Sequence, residues 1–472
     1  MQTENWLLKQ ARTNPDHVAI DDGTRRLTFR QVKNRAGQIA GQLDQLKIGS
    51  KVGLLSGNNL QAYLLAMAIL ASGRTIVWLN WRLSDEELAR QIADSQLNLC
   101  LVSDELRRHS MDQRSMTFSQ FQRILAEPAQ LVPTFDSDQI ASIMYTSGTT
   151  GQPKGVLQSF GNHFYSAISS ALNLGLTKHD EWLCVAPIFH ISGFSILMRS
   201  LIYGMTVRLV DKFRTPAVEE ILVNEPVTIM SVVPFMLKKL LTHQQESHHH
   251  YQHAFRCMLL GGGTTERPVL EQCQKLGIPV VQCYGMTETC SQIVALSAND
   301  ALTKLGSVGQ PLFTTQLKLS QQNEVLLKTP ALSPGYLNMK GKLASKMSDG
   351  WYRTGDVGHL DSDGYLYIDG RLDEMIISGG ENIFPAEVEA VYQQFPTIDE
   401  IAVVGQADAE WGARPVAFVV SQHSLNSAKL IDYGRQHLAH YKVPVKFIAI
   451  DHLPKNASGK VQRYLLRQQL TN

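Results

Sequence analysis

The chain has 472 residues, enough for roughly three domain-sized units, and its 44% hydrophobic and 18% charged content excludes a wholly disordered or collagen-like chain. Lys and Arg total 44 against 43 Asp and Glu, so the net charge is +1 and no chain-wide attraction to nucleic acid or anionic lipid is expected. The six cysteines (Cys100, Cys184, Cys257, Cys273, Cys283, Cys290) include no Cys-x-x-Cys pair, which argues against a zinc ribbon or a thioredoxin-like site and for a reduced, cytoplasmic setting.

Residues 1–6 contain no basic stretch leading into an apolar one, so no signal peptide is expected. Thr28 and Gln31 have the spacing of a capping box, and Val32, Ala36, Ile39, Ala40 and Leu43 continue it as a helix. Residues 52–55, 75–79 and 99–102 read as buried strands. The longest apolar run, near 63–71, is too short for a membrane span, which needs ~20 residues. Ser84 and Glu87 form a second capping box. Short β-rich runs alternating with helical patterns indicate an α/β protein.

A strand-like run (Ile140, Ala141, Ile143, Met144) leads into Tyr145-Thr146-Ser147-Gly148-Thr149-Thr150-Gly151-Gln152-Pro153-Lys154-Gly155. Glycines bring backbone N–H groups close to an anion, and hydroxyls with one ammonium suit phosphate oxygens. The spacing is not that of a Walker A loop. The stretch 247–253, Ser-His-His-His-Tyr-Gln-His, invites a metal site, but nothing in it shows converging ligands, and a solvated loop is the better reading. Residues 257–260 read as a strand before Gly261-Gly262-Gly263, by itself a turn signal.

The composition changes after Arg371-Leu372-Asp373. A glycine-bearing loop at 378–382 precedes a helix started by Pro385, then strands at 401–404, 415–420 and 446–450 with another helix. About 100 residues with these elements can form a small α+β module. The boundary is placed at Asp373, giving domains 1–372 and 373–472.

These motifs resemble those of the acyl-adenylate-forming superfamily over essentially the whole chain. The phosphate loop is followed in the family's order by Tyr284-Gly285-Met286-Thr287-Glu288, Tyr352-Arg353-Thr354-Gly355-Asp356, Gly370-Arg371-Leu372-Asp373 and Pro454-Lys455-Asn456-Ala457-Ser458-Gly459-Lys460. The resemblance implies a large multi-sheet adenylate-forming domain with a small mobile C-terminal lid. It implies ATP contacts from Thr146, Ser147, Gly148, Thr149, Thr150, Lys154, Gly261, Gly262, Tyr284, Gly285, Thr287, Asp356 and Arg371. It assigns Mg2+ to Glu288, whose hard oxygens suit that ion, and catalysis to Lys460, His190, Thr287 and Glu288. It implies a hinge at Asp373, and Gly379 and Gly380 beside the pantetheine arm of CoA. His190, Ser192, Gly263 and Gln292 fall where the family binds its acid, with Arg199 a further donor candidate. His190 stands where amino-acid-activating relatives tend to carry Asp, which disfavours an amino-acid substrate.

More narrowly, Ser159-Phe160-Gly161-Asn162-His163, His190-Ile191-Ser192-Gly193 and Thr287-Glu288-Thr289-Cys290-Ser291-Gln292 resemble the o-succinylbenzoate–CoA ligase family of menaquinone biosynthesis. The expected partners are a small-molecule acid, ATP and CoA, with Mg2+ as cofactor, no nucleic acid and no membrane span; a homo-oligomer is left open. The alternatives are a CoA ligase for another aryl or medium-chain acid, and a nucleotide-binding protein without catalysis.

Overall fold

A computed structural model of the protein describes residues 1–106, 114–147, 153–263, 265, 267–297, 300, 303–379, 381–455 and 459–470. Its contacts divide the chain into two compact units, Met1–Gln316 with Lys328–Met347 and Leu317–Leu327 with Ser348–Asn472.

The first unit is built on two large sheets. One runs in the order Ser115–Thr117, Cys100–Val102, Lys51–Leu55, Thr75–Leu79, Ile140–Ser147, Pro153–Ser159 and Gly335–Tyr336. Its first four steps are parallel and its last two antiparallel. Thr75–Leu79 is buried at every position, as a β-branched and aromatic run in a parallel sheet should be.

The other sheet has a parallel core of Val18–Asp21, Thr206–Leu209, Glu181–Cys184, Ile229–Val232, Cys257–Leu260 and Val280–Met286. The carboxyl ends of its last four strands therefore lie along one edge, where open α/β sheets place their ligands. They lead into 185–190, Val233, Gly261 and Thr287.

Both expected capping boxes are present, starting the helices Phe29–Gln45 and Asp85–Asp94. The apolar run near 63–71 belongs to the helix Leu60–Ala71, in which only Gln61 is not buried. A helix apolar on all sides belongs in a core. Among the described residues no helix is long and apolar enough to cross a membrane.

In the second unit Glu324–Lys328, Trp351–Leu360 and Leu366–Arg371 pair antiparallel. Glu381–Ile383, Ile376–Ser378, Gly412–Val420 and Glu400–Asp408 form a second sheet, with Lys446–Ala449 parallel to Gly412–Val420. Alternation along Glu400–Asp408 sends Ile401 and Val403 to one face and Ala402 and Val404 to the other. The first face packs Val388, Tyr392 and Leu430 from the helices Pro385–Tyr392 and Ser427–His437; the second packs Leu466 from Arg463–Gln469. Pro385 opens its helix at the first turn, as expected. Ser378, Glu381 and Asn382, expected in a loop, instead lie in the paired strands Ile376–Ser378 and Glu381–Ile383. Three-residue strands are too short to show an alternation that sequence reading could detect.

Candidate active site

The strands Ile140–Ser147 and Pro153–Ser159 form an antiparallel hairpin that sets Lys154 opposite Thr146 and Pro153 opposite Ser147. The chain on either side of residues 148–152 is therefore held in a paired strand. Gly148, Thr149 and Thr150 lie outside the described residues. The Lys154 ammonium is 5.8 Å from the ring centre of Tyr336. Burial lowers its pKa, with Lys346 and Lys342 acting in the same direction and Glu288 opposing them. Tyr336 in turn donates its hydroxyl to Glu288 Oε1 at 2.9 Å. A cation, a phenol and a carboxylate thus meet beside the hairpin.

Glu288 sits in the 3-10 turn Thr287–Thr289 that follows Val280–Met286. The backbone here is tightly shaped. A Cβ on Gly285 would lie 2.0 Å from the Ser291 carbonyl oxygen, so only glycine fits. Cys290 and Ser291 have φ of 51° and 111°, conformations that cost a non-glycine residue about 1–3 kcal/mol each. Ties from elsewhere hold the turn. Gln158 Nε2 donates to Thr287 O at 2.8 Å, Ser166 Oγ to Cys290 O at 2.7 Å, and Arg199 Nη2 to Ser291 Oγ at 3.2 Å.

Behind the turn stands the helix Phe160–Leu174, which turns a polar face inward. Asn162 caps the helix with Ser159 and also donates to the carbonyls of Pro330 and Leu332. His163 Nε2 is 2.9 Å from Ser142 Oγ, which donates to Gln158. Both residues, left open by the sequence, are structural braces. Gln292 Nε2 donates to Ser170 Oγ at 3.1 Å, while its buried Oε1 finds no partner among the described residues.

The acid-side candidates differ in burial. His190 caps the helix Ile191–Tyr203 by position without a side-chain bond. Its Nε2 is buried and meets no partner among the described residues, so it is not a histidine with both nitrogens satisfied. Burial, then the Arg82 charge, lowers its pKa to about 4, so the ring is neutral at pH 7. Asn58 fixes the preceding loop by donating to Ala186 O and accepting from Ile188 N–H. Ser192 and Gly263 are exposed. Gly261 follows Cys257–Leu260, and a Cβ there would come within 3.1 Å of Cys283 Sγ; Gly262 has φ +80°. Arg199 is buried, stacks at 5.1 Å on Trp182, and forms no ion pair among the described residues.

In the second unit, Asp356 and Arg371 face each other across a strand pair and join through Nη1–Oδ1 at 2.9 Å. Asp356 is buried, so this is not a solvated surface pair. Arg371 Nε also donates to Asp373 at 3.2 Å. Gly379 has φ +58°, and a Cβ there would meet the Trp411 ring at 2.7 Å. Gly380 lies outside the described residues. Lys460 is exposed and follows Gly459, whose φ is +83°. Among the described residues no group of three His, Cys, Asp or Glu side chains could hold a metal ion.

Residues 7–347 match the AMP-binding enzyme family and 387–460 its C-terminal domain. The chain belongs to the AMP-binding enzyme family. This AMP-binding enzyme is 41% identical to the 2-succinylbenzoate–CoA ligase of Listeria innocua, covering 99% of this chain and 100% of that protein. The o-succinylbenzoate CoA synthetase of Bacillus subtilis, solved with its acyl-adenylate intermediate, superposes with a TM-score of 0.93 at 38% identity, over 100% of this chain and 99% of that one. The same enzyme with ATP and magnesium gives 0.92 at 38% identity, over 100% of both chains. Sequence reading of this AMP-binding enzyme missed Tyr336, Gln158 and Asn58. Each acts on a partner 48 to 130 residues away, and no local pattern marks such a pairing.

Proposed function

We propose that the chain joins 2-succinylbenzoate to CoA at the expense of ATP, in a cytoplasmic setting and in the service of menaquinone biosynthesis. In the first step the acid's carboxylate attacks the α-phosphorus of ATP, a P–O bond breaks, and diphosphate leaves. In the second the CoA sulfur attacks the acyl carbon, losing its proton, and AMP leaves. The observation that carries this reading is 41% identity to a 2-succinylbenzoate–CoA ligase across both full lengths.

The family resemblance, and the geometry where residues are described, support roles for the chain's own residues. Thr146, Ser147, Gly148, Thr149, Thr150 and Lys154 receive the outer phosphates. Gly261, Gly262, Tyr284, Gly285 and Thr287 frame the adenine side, and Asp356 with Arg371 the ribose. Glu288 suits Mg2+: among the described residues Tyr336 engages its Oε1 and no hydrogen bond reaches Oε2. When bound, that ion neutralises phosphate charge. Lys460 balances charge on the α-phosphoryl group in the first step. His190, neutral and with Nε2 unpartnered, borders the acid with Ser192, Gly263 and Gln292. Buried Arg199, without an ion-pair partner among the described residues, suits the second carboxylate. For the second step the part from residue 373 pivots at Asp373, bringing Gly379 and Gly380 to the pantetheine arm.

Mass spectrometry after incubation with MgATP, CoA and 2-succinylbenzoate tests the reading. The expected product is 2-succinylbenzoyl-CoA. Faster conversion of benzoate or octanoate would reject this substrate, and absence of any acid-dependent diphosphate release would reject ligation.

A further inference from the structure

Arg463 opens the helix Arg463–Gln469, three residues after Lys460, and only 17% of its side chain is exposed. Its Nη1 donates to Glu374 Oε2 at 3.0 Å. Its Nη2 reaches both oxygens of Glu389, at 2.8 and 2.7 Å. Glu374 is the residue after Asp373. Glu389 lies in the helix Pro385–Tyr392, and its Oε1 also accepts the Val403 N–H at 2.7 Å. Burial opposes the Arg463 charge, and the two carboxylates outweigh it. A largely buried arginine between two carboxylates is an expensive way to hold a helix end. Here it ties together three segments distant in sequence.

The stretch that carries Lys460 is fixed at both stems. Lys455 and Val461 form an antiparallel bridge, and the Gln462 N–H donates to Pro454 O at 2.7 Å. Lys455 Nζ pairs with Glu400 at 2.6 Å on the incoming side. On the outgoing side Leu466 is fully buried, with Val461 and Leu470 packed partly against the same cluster. The ion pairs of Arg463 add a polar anchor at its first turn.

We propose that Arg463 is a positioning residue for Lys460: its pairs with Glu374 and Glu389 hold the outgoing stem of the lysine loop against the residue next to Asp373. This rests on the role given to Lys460 above. An ammonium displaced by about 1 Å loses much of its effect on a transition state, up to about 100-fold. Arg463→Gln should slow acyl-adenylate formation about 10- to 100-fold. It should leave the KM for MgATP and the rate of thioester formation from preformed acyl-adenylate within about twofold. Arg463→Lys should recover part of the loss, since one ammonium pairs with one carboxylate at a time. Glu374→Gln, which keeps the Glu389 pair, should slow the first step about 3- to 10-fold.

The two half-reactions are measured separately on the full chain, by single-turnover quench, with Lys460→Ala alongside. Equal loss in both half-reactions for Arg463→Gln and Glu374→Gln overturns the proposal, because a purely structural role would act on both. Should Arg463→Gln fail to fold, Glu374→Gln and Arg463→Lys carry the test, and wild-type adenylate formation in both overturns it. Wild-type adenylate formation in Lys460→Ala would instead remove the reading of Lys460 itself, and this proposal with it.

Discussion

The turn at Thr287–Thr289 and the loop before Arg463 both carry charged candidates for the same chemistry, yet they are built in opposite ways. The turn is partly buried, strained at Cys290 and Ser291, and braced by Gln158, Ser166 and Arg199. The lysine loop exposes Gly459 and Lys460 and, among the described residues, is anchored at its stems by ion pairs and one bridge. The difference teaches how preorganisation is divided. The Glu288 turn is braced from distant parts of its own unit, while Lys460 stands between two anchored stems.

The sharpest way to break this comparison is Lys460→Ala. It should slow adenylate formation by ~10²–10⁴ in a diphosphate-exchange assay and spare thioester formation from preformed acyl-adenylate. Equal loss in both steps would erase the contrast. Next comes the braced turn. Gly285→Ala places a methyl against the Ser291 carbonyl and should destabilise the protein by about 1–3 kcal/mol in urea unfolding. An unchanged midpoint would show that the turn yields more easily than its backbone indicates.

Tyr336→Phe is milder. It removes the hydroxyl that orients Glu288 and should raise the KM for MgATP about tenfold, about 1.4 kcal/mol, with little change in stability. A change in kcat alone would place Glu288 outside ground-state nucleotide binding.

A further effect is electrostatic. Burial lowers the pKa of His190 to about 4 and that of His163 to about 3, below the ordinary value near 6.5. The unfolded chain therefore takes up protons at these sites below pH 6.5 while the folded one does not. Stability falls as pH drops from about 6.5 toward 4, by at most about 1.4 kcal/mol per pH unit for each ring. His163→Gln should flatten that slope in urea titrations at pH 7 and 5; an unaltered slope would mean the ring is not shielded.

Much of this architecture was legible. Both capping boxes, the strand Cys257–Leu260 and the helix opened by Pro385 follow from local rules that act within a few residues. The motif order pointed to the family, and the match over 7–347 bears that out. What stayed hidden was whatever depends on distant partners. Nothing near Tyr336 announces Glu288, and nothing near Arg463 announces Glu374. Positive φ at Cys290 was equally invisible, because that strain is imposed by Ser166 and Thr289 rather than chosen by Cys290 itself.

The inward polar face of Phe160–Leu174 has an evolutionary corollary. Asn162, Ser166 and Ser170 each answer a group contributed by 286–293 or 330–332. Shuffling a generic apolar cylinder between relatives is forgiving; shuffling this one is not. A chimera whose crossover separates residues 160–174 from 286–332 would inherit a lock from one parent and a key from the other, so these stretches should travel together when such enzymes are recombined.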